Sequence, residues 1–372
     1  MPTASPFDAT EHALMAEALR LAARGAYSTR PNPMVGCVIA RDGEVVGRGW
    51  HRRAGEPHAE VHALREAGEA ARGATAYVTL EPCSLHGRTP PCSEALVAAG
   101  VRRVVMATGD PFQEAGHGIE RMRAAGLEVD AGLLQAEARA LNRGFFARVE
   151  RGRPWLRVKL AMSLDGRTAL ASGESKWITG PAARTDVQRW RARAGALVTG
   201  VGTVIADDPR LTARLPQEEI DEGGLAAPVR VVLDSRGRTP AGAAVLNDAA
   251  APTWLLQGED VPDRHGGARV EHIAVPCDDG RVGLEAALAL LARRGINEVQ
   301  VESGPTLAGA LLRAGLVDEV LLYVAPLLLG ERGRPLFGGI TPETMAGRIG
   351  LETVETRQVG TDLRLLLRPR GA

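Results

Sequence analysis

Several features are scarce in this chain of 372 residues, and each scarcity narrows the range of functions. Basic and acidic side chains number 45 each, so no net charge attracts nucleic acid or a membrane surface. No apolar run approaches the roughly 18 residues of a membrane-spanning helix. The N-terminus lacks a basic stretch followed by an apolar one, which argues against a secretory signal. We therefore expect a cytoplasmic protein with neither nucleic acid nor a membrane as its partner.

Cysteine is also scarce. The four cysteines are too few for a disulfide scaffold, and in a cytosolic chain a close pair more often indicates a metal site or catalysis. Cys83 and Cys92 form such a pair. Cys37 lies in the apolar run MVGCVIA and is most simply a small buried hydrophobic residue.

Lysine is almost missing, because only Lys159 and Lys176 occur among the 45 basic residues. Codon bias is one interpretation. The other is that these two positions need an ammonium group, a compact point charge that the planar guanidinium of arginine does not replace.

The order of predicted elements indicates two α/β domains, 1–150 and 151–372. The first begins with a helix over 10–24 and a hairpin through Arg41-Asp42-Gly43, and then alternates strands and helices. Such alternation predicts an α/β sandwich with a largely parallel sheet after the hairpin. A turn-prone stretch at 151–154 separates the domains, after a helix over AEARALNRGFFARV. The alternation then restarts, and 214–228 is predicted to be an exposed loop.

A metal site is predicted where the helix beginning HAEVHAL meets the segment EPCSLHGRTPPC. His58, Cys83 and Cys92 supply one nitrogen and two sulfurs, which leaves a fourth zinc position open for catalysis. Glu60 lies two residues after His58, so its carboxylate can lean over the metal and move the proton of an activated water. This is the arrangement of zinc-dependent nucleoside and nucleobase deaminases, whose signature is His-x-Glu followed by Pro-Cys-x-x-Cys. The chain departs from that signature because eight residues, and not two, separate Cys83 from Cys92.

Two alternatives remain open for this cluster. Cys37 is a candidate fourth ligand of a closed, purely structural zinc site, although such a site would not require Glu60. His62, one turn after His58, is a candidate ligand or simply a packed side chain.

Seven motifs in order resemble the bifunctional deaminase/reductase family of riboflavin biosynthesis: PNPMVGCVI, HAEVHAL, EPCSxxGRTPPC, KLAMSLDGRTA, SGESKWIT, GVGTVIADDPRLT and VESGPTLAGALL. The resemblance implies a cytidine-deaminase-like α/β/α sandwich followed by a dihydrofolate-reductase-like α/β domain. It also implies Zn²⁺ and NADPH as cofactors and a phosphorylated pyrimidine as substrate. A homo-oligomer is the expected assembly.

The implied chemistry has two steps. Hydrolytic deamination of 2,5-diamino-6-(5-phosphoribosylamino)pyrimidin-4(3H)-one gives 5-amino-6-(5-phosphoribosylamino)uracil, and NADPH then reduces the ribosyl group to ribityl. By resemblance, the deaminase substrate is contacted by Asn32, His51, Ala59 and Arg88. The chain departs from the family at Leu85, where a histidine is usual, and His86 follows one place later.

In the second domain, Gly200-Val201-Gly202-Thr203 alone is a weak signal, since it lacks the third glycine and the strand-to-helix context of a dinucleotide-binding fingerprint. The resemblance assigns NADPH contacts to Ala161, Trp177, Thr203, Asp207, Ser235 and the turn Gly304, Pro305, Thr306, Leu307. It assigns the sugar phosphate to Ser175, Arg191, Leu211, Arg214 and Glu302. Lys159 is a possible reductase residue because a cation there would face the reducible sugar. Without the motif order, a core Trp177 and a turn-capping Asp207-Asp208 are the simpler interpretations.

Two further hypotheses fit parts of the sequence. A deaminase of cytidine or of adenosine in tRNA, with an accessory domain, fits the zinc motif. The 3% aromatic content and the balanced charge nevertheless lack the basic stripe and stacking residues of a nucleic-acid reader. A zinc-stabilised binding module would keep the metal and release no ammonia from a pyrimidine.

Overall fold

The computed structural model describes residues 7–84, 91–113, 118–263 and 269–370. The chain divides into two compact units, and each has a sheet of its own. The first unit comprises 1–151 together with Pro216–Ala226, and the second comprises 152–215 and 227–372. The split after Arg151 falls in the turn-prone stretch that the sequence marks.

The first unit is a five-stranded sheet with helices on both faces. Its helices are α1 Ala9–Ala23, α2 Ala59–Ala67, α3 Cys92–Ala98, α4 Gly118–Ala124, α5 Gln135–Leu141 and α6 Arg143–Arg151. Its strands are β1 Gly36–Arg41, β2 Glu44–Trp50, β3 Thr75–Val78, β4 Arg103–Met106 and β5 Glu128–Ala131, in the spatial order β2-β1-β3-β4-β5. β1 is antiparallel to β2 and β3, whereas β3, β4 and β5 run parallel.

The alternation of side chains along β1 explains the sandwich. Val38 and Ala40 pack with α1 on one face of the sheet, whereas Cys37 and Ile39 pack with α2 and α3 on the other. Successive strand residues point to opposite faces, so a strand buried on both sides is apolar throughout. The predicted α/β sandwich is confirmed, and the predicted hairpin turn has positive φ at both Asp42 and Gly43.

The second unit has a nine-stranded sheet and two short two-stranded pairings. Its helices are α7 Pro181–Arg193, α8 Val201–Asp207, α9 Ala244–Asn247, α10 Leu284–Arg293 and α11 Pro305–Arg313. Its strands are β6 Trp155–Ser163, β7 Arg167–Ala169, β8 Ala196–Gly200, β9 Val229–Leu233, β10 Thr253–Gln257, β11 Val270–Ala274, β12 Cys277–Asp278, β13 Arg281–Val282, β14 Glu298–Glu302, β15 Glu319–Ala325, β16 Arg334–Pro335, β17 Leu351–Val359 and β18 Asp362–Pro369.

The large sheet is ordered β11-β10-β9-β8-β14-β6-β15-β18-β17. All of its pairings are parallel except those of the closing hairpin, in which β18 runs antiparallel to both β15 and β17. Parallel strands bring their carboxyl ends to one edge, and ligands of open α/β sheets bind at that edge. The α/β class predicted for this region is therefore confirmed.

Three details differ from the sequence-based expectations. The helix predicted over AEARALNRGFFARV is interrupted at Asn142, whose buried amide accepts from Met34 N and donates to Met34 O, both at 2.8 Å. The prediction that Gly200–Thr203 does not join a strand to a helix is wrong, because β8 runs directly into α8. The predicted exposed loop over 214–228 is largely packed into the first unit, with Gly223 buried.

Across the described ranges, no helix combines the length and the hydropathy needed to cross a membrane.

Candidate active sites

The first site forms where α2 and α3 begin. His58 is the N-cap of α2, Cys92 is the first residue of α3, and Cys83 lies in the loop that follows β3. His58 Nδ1 lies 3.4 Å from Cys83 Sγ and 3.3 Å from Cys92 Sγ. A tetrahedral zinc holds its nitrogen and sulfur ligands about 3.6 Å apart, so the three atoms fit a zinc ion without rearrangement.

The electrostatics of the cysteine pair also suit a metal. The backbone N–H of Cys92 donates to Cys83 Sγ at 3.3 Å, as expected where a helix N-terminus meets a thiolate. Hydrogen bonding from Cys92 and His58 outweighs burial and lowers the pKa of the Cys83 thiol. A thiolate is the form of cysteine that binds zinc.

Glu60 lies beside this cluster but outside it. Its side chain is 2% exposed, and among the described residues Oε2 has no hydrogen-bond partner. Burial and the neighbouring Cys83 sulfur raise the pKa of Glu60 to about 7. A buried carboxyl with a free oxygen and a pKa near neutrality is suited to accept and return a proton.

The close packing of α2 against β2 determines how deeply the Glu60 carboxyl is buried. A Cβ on Gly49 of β2 would lie 2.0 Å from Ala59 O, and one on Gly47 would lie 2.2 Å from Ala63 O. The two glycines therefore let α2 lie directly against the strand.

Among the described residues, the side chains placed to hold a metal ion are His58, Cys83 and Cys92. Neither Cys37 nor His62 belongs to this group. Cys37 is fully buried in the core between the sheet and α2, where burial raises the pKa of its thiol. His62 is half-buried, and burial lowers its pKa. The geometry thus favours an open three-ligand site over a closed one.

Two of the substrate residues implied by resemblance are hydrogen-bonded to each other. Asn32 Nδ2 donates to His51 Nε2 at 3.1 Å, and His51 Nδ1 contacts Pro57 O at 3.3 Å. Burial lowers the pKa of His51 to about 4, so the ring is neutral and Nδ1 is the donor. Its ring meets that of His58 edge-on, with centroids 5.1 Å apart, and Ala59 is buried at the start of α2. Arg88, Leu85 and His86 lie outside the described residues.

The second site is a cleft of about 1500 Å³ within the second unit. Every residue that the resemblance assigned to the reductase lines it: Lys159, Ala161, Ser175, Trp177, Arg191, Thr203, Asp207, Leu211, Arg214, Ser235, Glu302, Gly304, Pro305, Thr306 and Leu307. The lining contains nine basic side chains and four acidic ones, a charge balance that suits phosphorylated ligands.

An ion pair lies at the carboxyl end of β14. Arg191 of α7 donates two hydrogen bonds of 2.7 Å to the Glu302 carboxylate, and Gln300 Nε2 donates to the same carboxylate at 2.9 Å. Burial alone would raise the pKa of Glu302, but Arg191 outweighs it and brings the value to about 2. Lys159 lies opposite Glu302 in the β6–β14 register, and burial lowers the pKa of its ammonium. Two guanidinium nitrogens of Arg191 are thus bonded to the Glu302 carboxylate.

Two simpler interpretations, a core position for Trp177 and a turn-capping role for Asp207-Asp208, can be compared with the structure. Trp177 is 70% exposed and is therefore not a core residue, and its ring stacks under the Arg184 guanidinium at 4.8 Å. Asp208 does cap a turn, since it ends α8 with a φ of 42° and accepts from Ala244 N at 2.7 Å. Gly304 is the N-cap of α11 and Pro305 its first residue, as the sequence predicts.

Sequence reasoning missed two residues near Lys159. The Tyr323 ring lies 5.9 Å from Lys159 Nζ, while the Tyr323 hydroxyl donates to Asp186 Oδ2 at 2.6 Å. Tyr323 stands within the buried run VLLYVAP, and Asp186 lies on a helix, so neither carried a signal. Lys176 also lines the cleft, which places both lysines of the chain at one site.

Two family matches divide the chain between these sites. Residues 8–108 match the cytidine and deoxycytidylate deaminase zinc-binding region, and residues 154–365 match the RibD C-terminal domain. The riboflavin biosynthesis protein RibD of Escherichia coli K12 is 50% identical over 363 residues, which cover 95% of this chain and 98% of that protein.

Solved structures agree over the full length. Acinetobacter baumannii RibD aligns with a TM-score of 0.89 at 46% identity, covering 97% of this chain and 99% of that one. A diaminohydroxyphosphoribosylaminopyrimidine deaminase/5-amino-6-(5-phosphoribosylamino)uracil reductase from Thermotoga maritima aligns with a TM-score of 0.85 at 32% identity, with the same coverage of both chains.

Fold and sites together define a two-part protein in which a zinc-binding unit of the deaminase class precedes a reductase-type α/β unit. The chain belongs to the RibD family of riboflavin biosynthesis proteins. The match over 154–365 shows that the second unit is the RibD C-terminal domain and not an unrelated accessory domain.

Proposed function

We propose that this chain carries out two successive steps of riboflavin biosynthesis on one phosphorylated pyrimidine. The deaminase step converts 2,5-diamino-6-(5-phosphoribosylamino)pyrimidin-4(3H)-one to 5-amino-6-(5-phosphoribosylamino)uracil, and the reductase step converts the ribosyl group to ribityl. The observation that carries this function is the presence, in one chain, of a zinc-type cluster beside a buried carboxyl and of a cationic cleft in another unit. One oxygen of that carboxyl has no hydrogen-bond partner among the described residues. Zinc and NADPH are the cofactors.

In the deaminase step, His58, Cys83 and Cys92 hold the zinc. When bound there, zinc would supply a Lewis acid, which lowers the pKa of water enough for it to act as a nucleophile near neutral pH. Glu60 takes one proton of the attacking water and passes it to a ring nitrogen of the pyrimidine. It then takes the second water proton, released as the new carbonyl forms, and passes it to the departing 2-amino group. Water oxygen thereby becomes the carbonyl oxygen of the uracil, and the amino group leaves as ammonia. Asn32, His51, Ala59 and Arg88 bind and orient the substrate.

In the reductase step, NADPH supplies the hydride when bound. The Gly304–Leu307 turn, Ala161, Trp177, Thr203, Asp207 and Ser235 hold the cofactor. Ser175, Arg191, Leu211, Arg214 and Glu302 hold the sugar phosphate. Lys159 directs its ammonium at the sugar oxygen that gains negative charge, and Glu302 keeps that ammonium in place from the adjacent strand.

The remaining assignments complete the proposal. The chain is an enzyme that acts on small molecules. We assign the deaminase to 1–150 and the reductase to 151–372. We further propose a cytoplasmic homo-oligomer that uses neither nucleic acid nor a membrane as partner.

A coupled assay tests the function. Zinc-loaded protein incubated with the diaminopyrimidinone phosphate should release one ammonia per substrate, and NADPH oxidation should begin only as the uracil product accumulates. Absence of ammonia release from the zinc-loaded chain would contradict the proposal.

A further inference from the structure

The segment Pro216–Ala226, called the strap below, is inserted between two stretches of the second unit but packs into the first. It contributes none of the residues assigned to either reaction. Its polar and glycine-rich sequence predicts an exposed loop, so its packing needs an explanation.

The strap holds the segment 24–32 at several points. Arg24 donates to Asp221 through Nε at 2.6 Å and through Nη2 at 2.5 Å. Ala226 N donates to Tyr27 O at 2.8 Å, and Arg30 Nη2 donates to Ala226 O. Backbone and side-chain contacts thus fix the middle and the C-terminal end of the strap against this segment.

The strap also holds the segment 50–53. Arg53 donates to Gly223 O through Nε at 3.1 Å and through Nη2 at 2.8 Å. Arg52 Nη1 lies 2.9 Å from Glu222 Oε2. The buried Trp50 ring lies against the guanidinium groups of Arg24, at 4.9 Å, and of Arg52, at 6.0 Å.

The centre of the strap is packed without spare room. A Cβ on Gly223 would lie 2.4 Å from Arg52 O and 2.4 Å from Ser28 Oγ, one atom from each loop. Real Cβ atoms do not approach this closely, so any side chain at 223 would push the strap away from both segments.

These two segments carry the substrate residues Asn32 and His51, which meet through a hydrogen bond of 3.1 Å. We propose that the strap is a positioning element for the deaminase site. Although it is inserted in the sequence of the second unit, it keeps Asn32 and His51 in the relative position that binds the pyrimidine. This inference rests on the proposed deaminase function. Among the described residues, the strap contacts involve the segments 24–32 and 50–53 and none of the three zinc ligands. We therefore expect its effect on substrate binding and not on the proton transfers.

Gly223→Ala is the direct test, with Gly242→Ala as matched control, because a Cβ at the exposed Gly242 meets nothing within 4 Å. In the full-length zinc-loaded protein, we expect Gly223→Ala to raise the deaminase KM about tenfold, since small displacements of positioning groups cost up to about 10²-fold. The kcat, the zinc content and the reduction of pre-deaminated substrate should stay within about twofold, as expected when only substrate binding is lost. Gly242→Ala should match the parent in all four measurements.

Limited trypsin digestion supplies a readout that does not depend on activity. Cleavage after Arg52 and Arg53 should be faster in Gly223→Ala than in Gly242→Ala. Should Gly223→Ala fail to fold, the double variant Asp221→Asn, Glu222→Gln removes the strap's charges without adding volume and should raise KM in the same direction.

The outcomes separate the two claims. A folded Gly223→Ala protein with parental KM and parental cleavage would contradict the claim that the strap holds the two segments. A fall in kcat with unchanged KM would contradict its role in substrate binding. A parent chain that releases no ammonia overturns the proposed function, and the trypsin comparison then still decides whether the strap holds the loops.

Discussion

The two candidate sites are built on different scales. In the first unit, three residues between positions 58 and 92 make a cluster whose ligand atoms lie within 4.8 Å of one another, with the Glu60 carboxyl beside it. In the second unit, the residues assigned to one reaction run from Lys159 to Leu307 and line a cleft of about 1500 Å³.

The difference follows from what each site holds. Metal bonds are short and directional, so their ligands must converge at two helix starts and one loop. A dinucleotide and a sugar phosphate are long, so their partners are spread along the carboxyl edge of a parallel sheet. A single substitution should therefore abolish the first site, whereas most single substitutions should only weaken the second.

Removal of one metal ligand is the strongest test of that contrast. Cys83→Ser should lose zinc and reduce ammonia release by at least about 10³-fold, because the Lewis acid contributes several kcal/mol to the transition state. Metal content measured by atomic spectroscopy should fall together with activity, while reduction of pre-deaminated substrate continues. Full zinc retention would remove Cys83 from the ligand set.

In the cleft, Lys159 is the residue whose substitution we expect to reduce activity most, in contrast to the small effects expected elsewhere in the second site. Lys159→Arg keeps the charge but replaces a compact ammonium with a larger planar group beside Glu302 and the Tyr323 ring. We expect the kcat of reduction to fall about 10²-fold, with ammonia release unchanged. Parental reduction kinetics would support codon bias as the reason for the rarity of lysine.

The Glu302–Arg191 pair predicts a pH-dependent stability. The folded-state pKa of Glu302, about 2, lies below the ordinary value of 4.5. The stabilisation is therefore complete above pH 4.5, amounts to about 3 kcal/mol, and is lost as the pH falls towards 2.

Urea unfolding of the parent and of Glu302→Gln measures this contribution. The difference in unfolding free energy between the two proteins should shrink by more than half between pH 6 and pH 3. A difference that stays constant over this range would show that the carboxylate is not stabilised by Arg191.

The smallest effect is expected at Leu85, where the chain departs from its family. Leu85→His should improve deamination severalfold, through a lower KM or a higher kcat, if one substrate hydrogen bond is missing there. Steady-state kinetics of ammonia release measure this change. An unaltered rate would mean that His86 or another group already fills the role.

Much of the fold was predictable because apolar periodicity reports burial. The β1–β2 hairpin and α2 lie where the sequence placed them. The exceptions have weak signals. β17, LETVETRQV, is an edge strand with few buried residues, and α8 begins at glycines that read as a turn.

The zinc cluster was predictable because its residue types and spacing carry the chemistry. Contacts between distant residues were not, since nothing in the local sequence pairs Arg191 with Glu302, Asn32 with His51, or Tyr323 with Lys159. The strap is the clearest case. Gly223 packs through backbone approach alone, which leaves no apolar pattern to detect.

The central claim is that the chain holds two independent sites, and Glu60→Gln tests it most directly. The substitution preserves size and coordination, because Glu60 is not a zinc ligand. In the proposed mechanism this carboxylate moves protons, and such groups contribute about 10²–10⁴-fold. Because the proposed mechanism gives Glu60 more than one proton transfer, we expect a loss towards the upper limit, with zinc content unchanged and pre-deaminated substrate reduced at the parental rate. Ammonia release at a parental rate, or loss of reduction in a folded protein, would contradict the account.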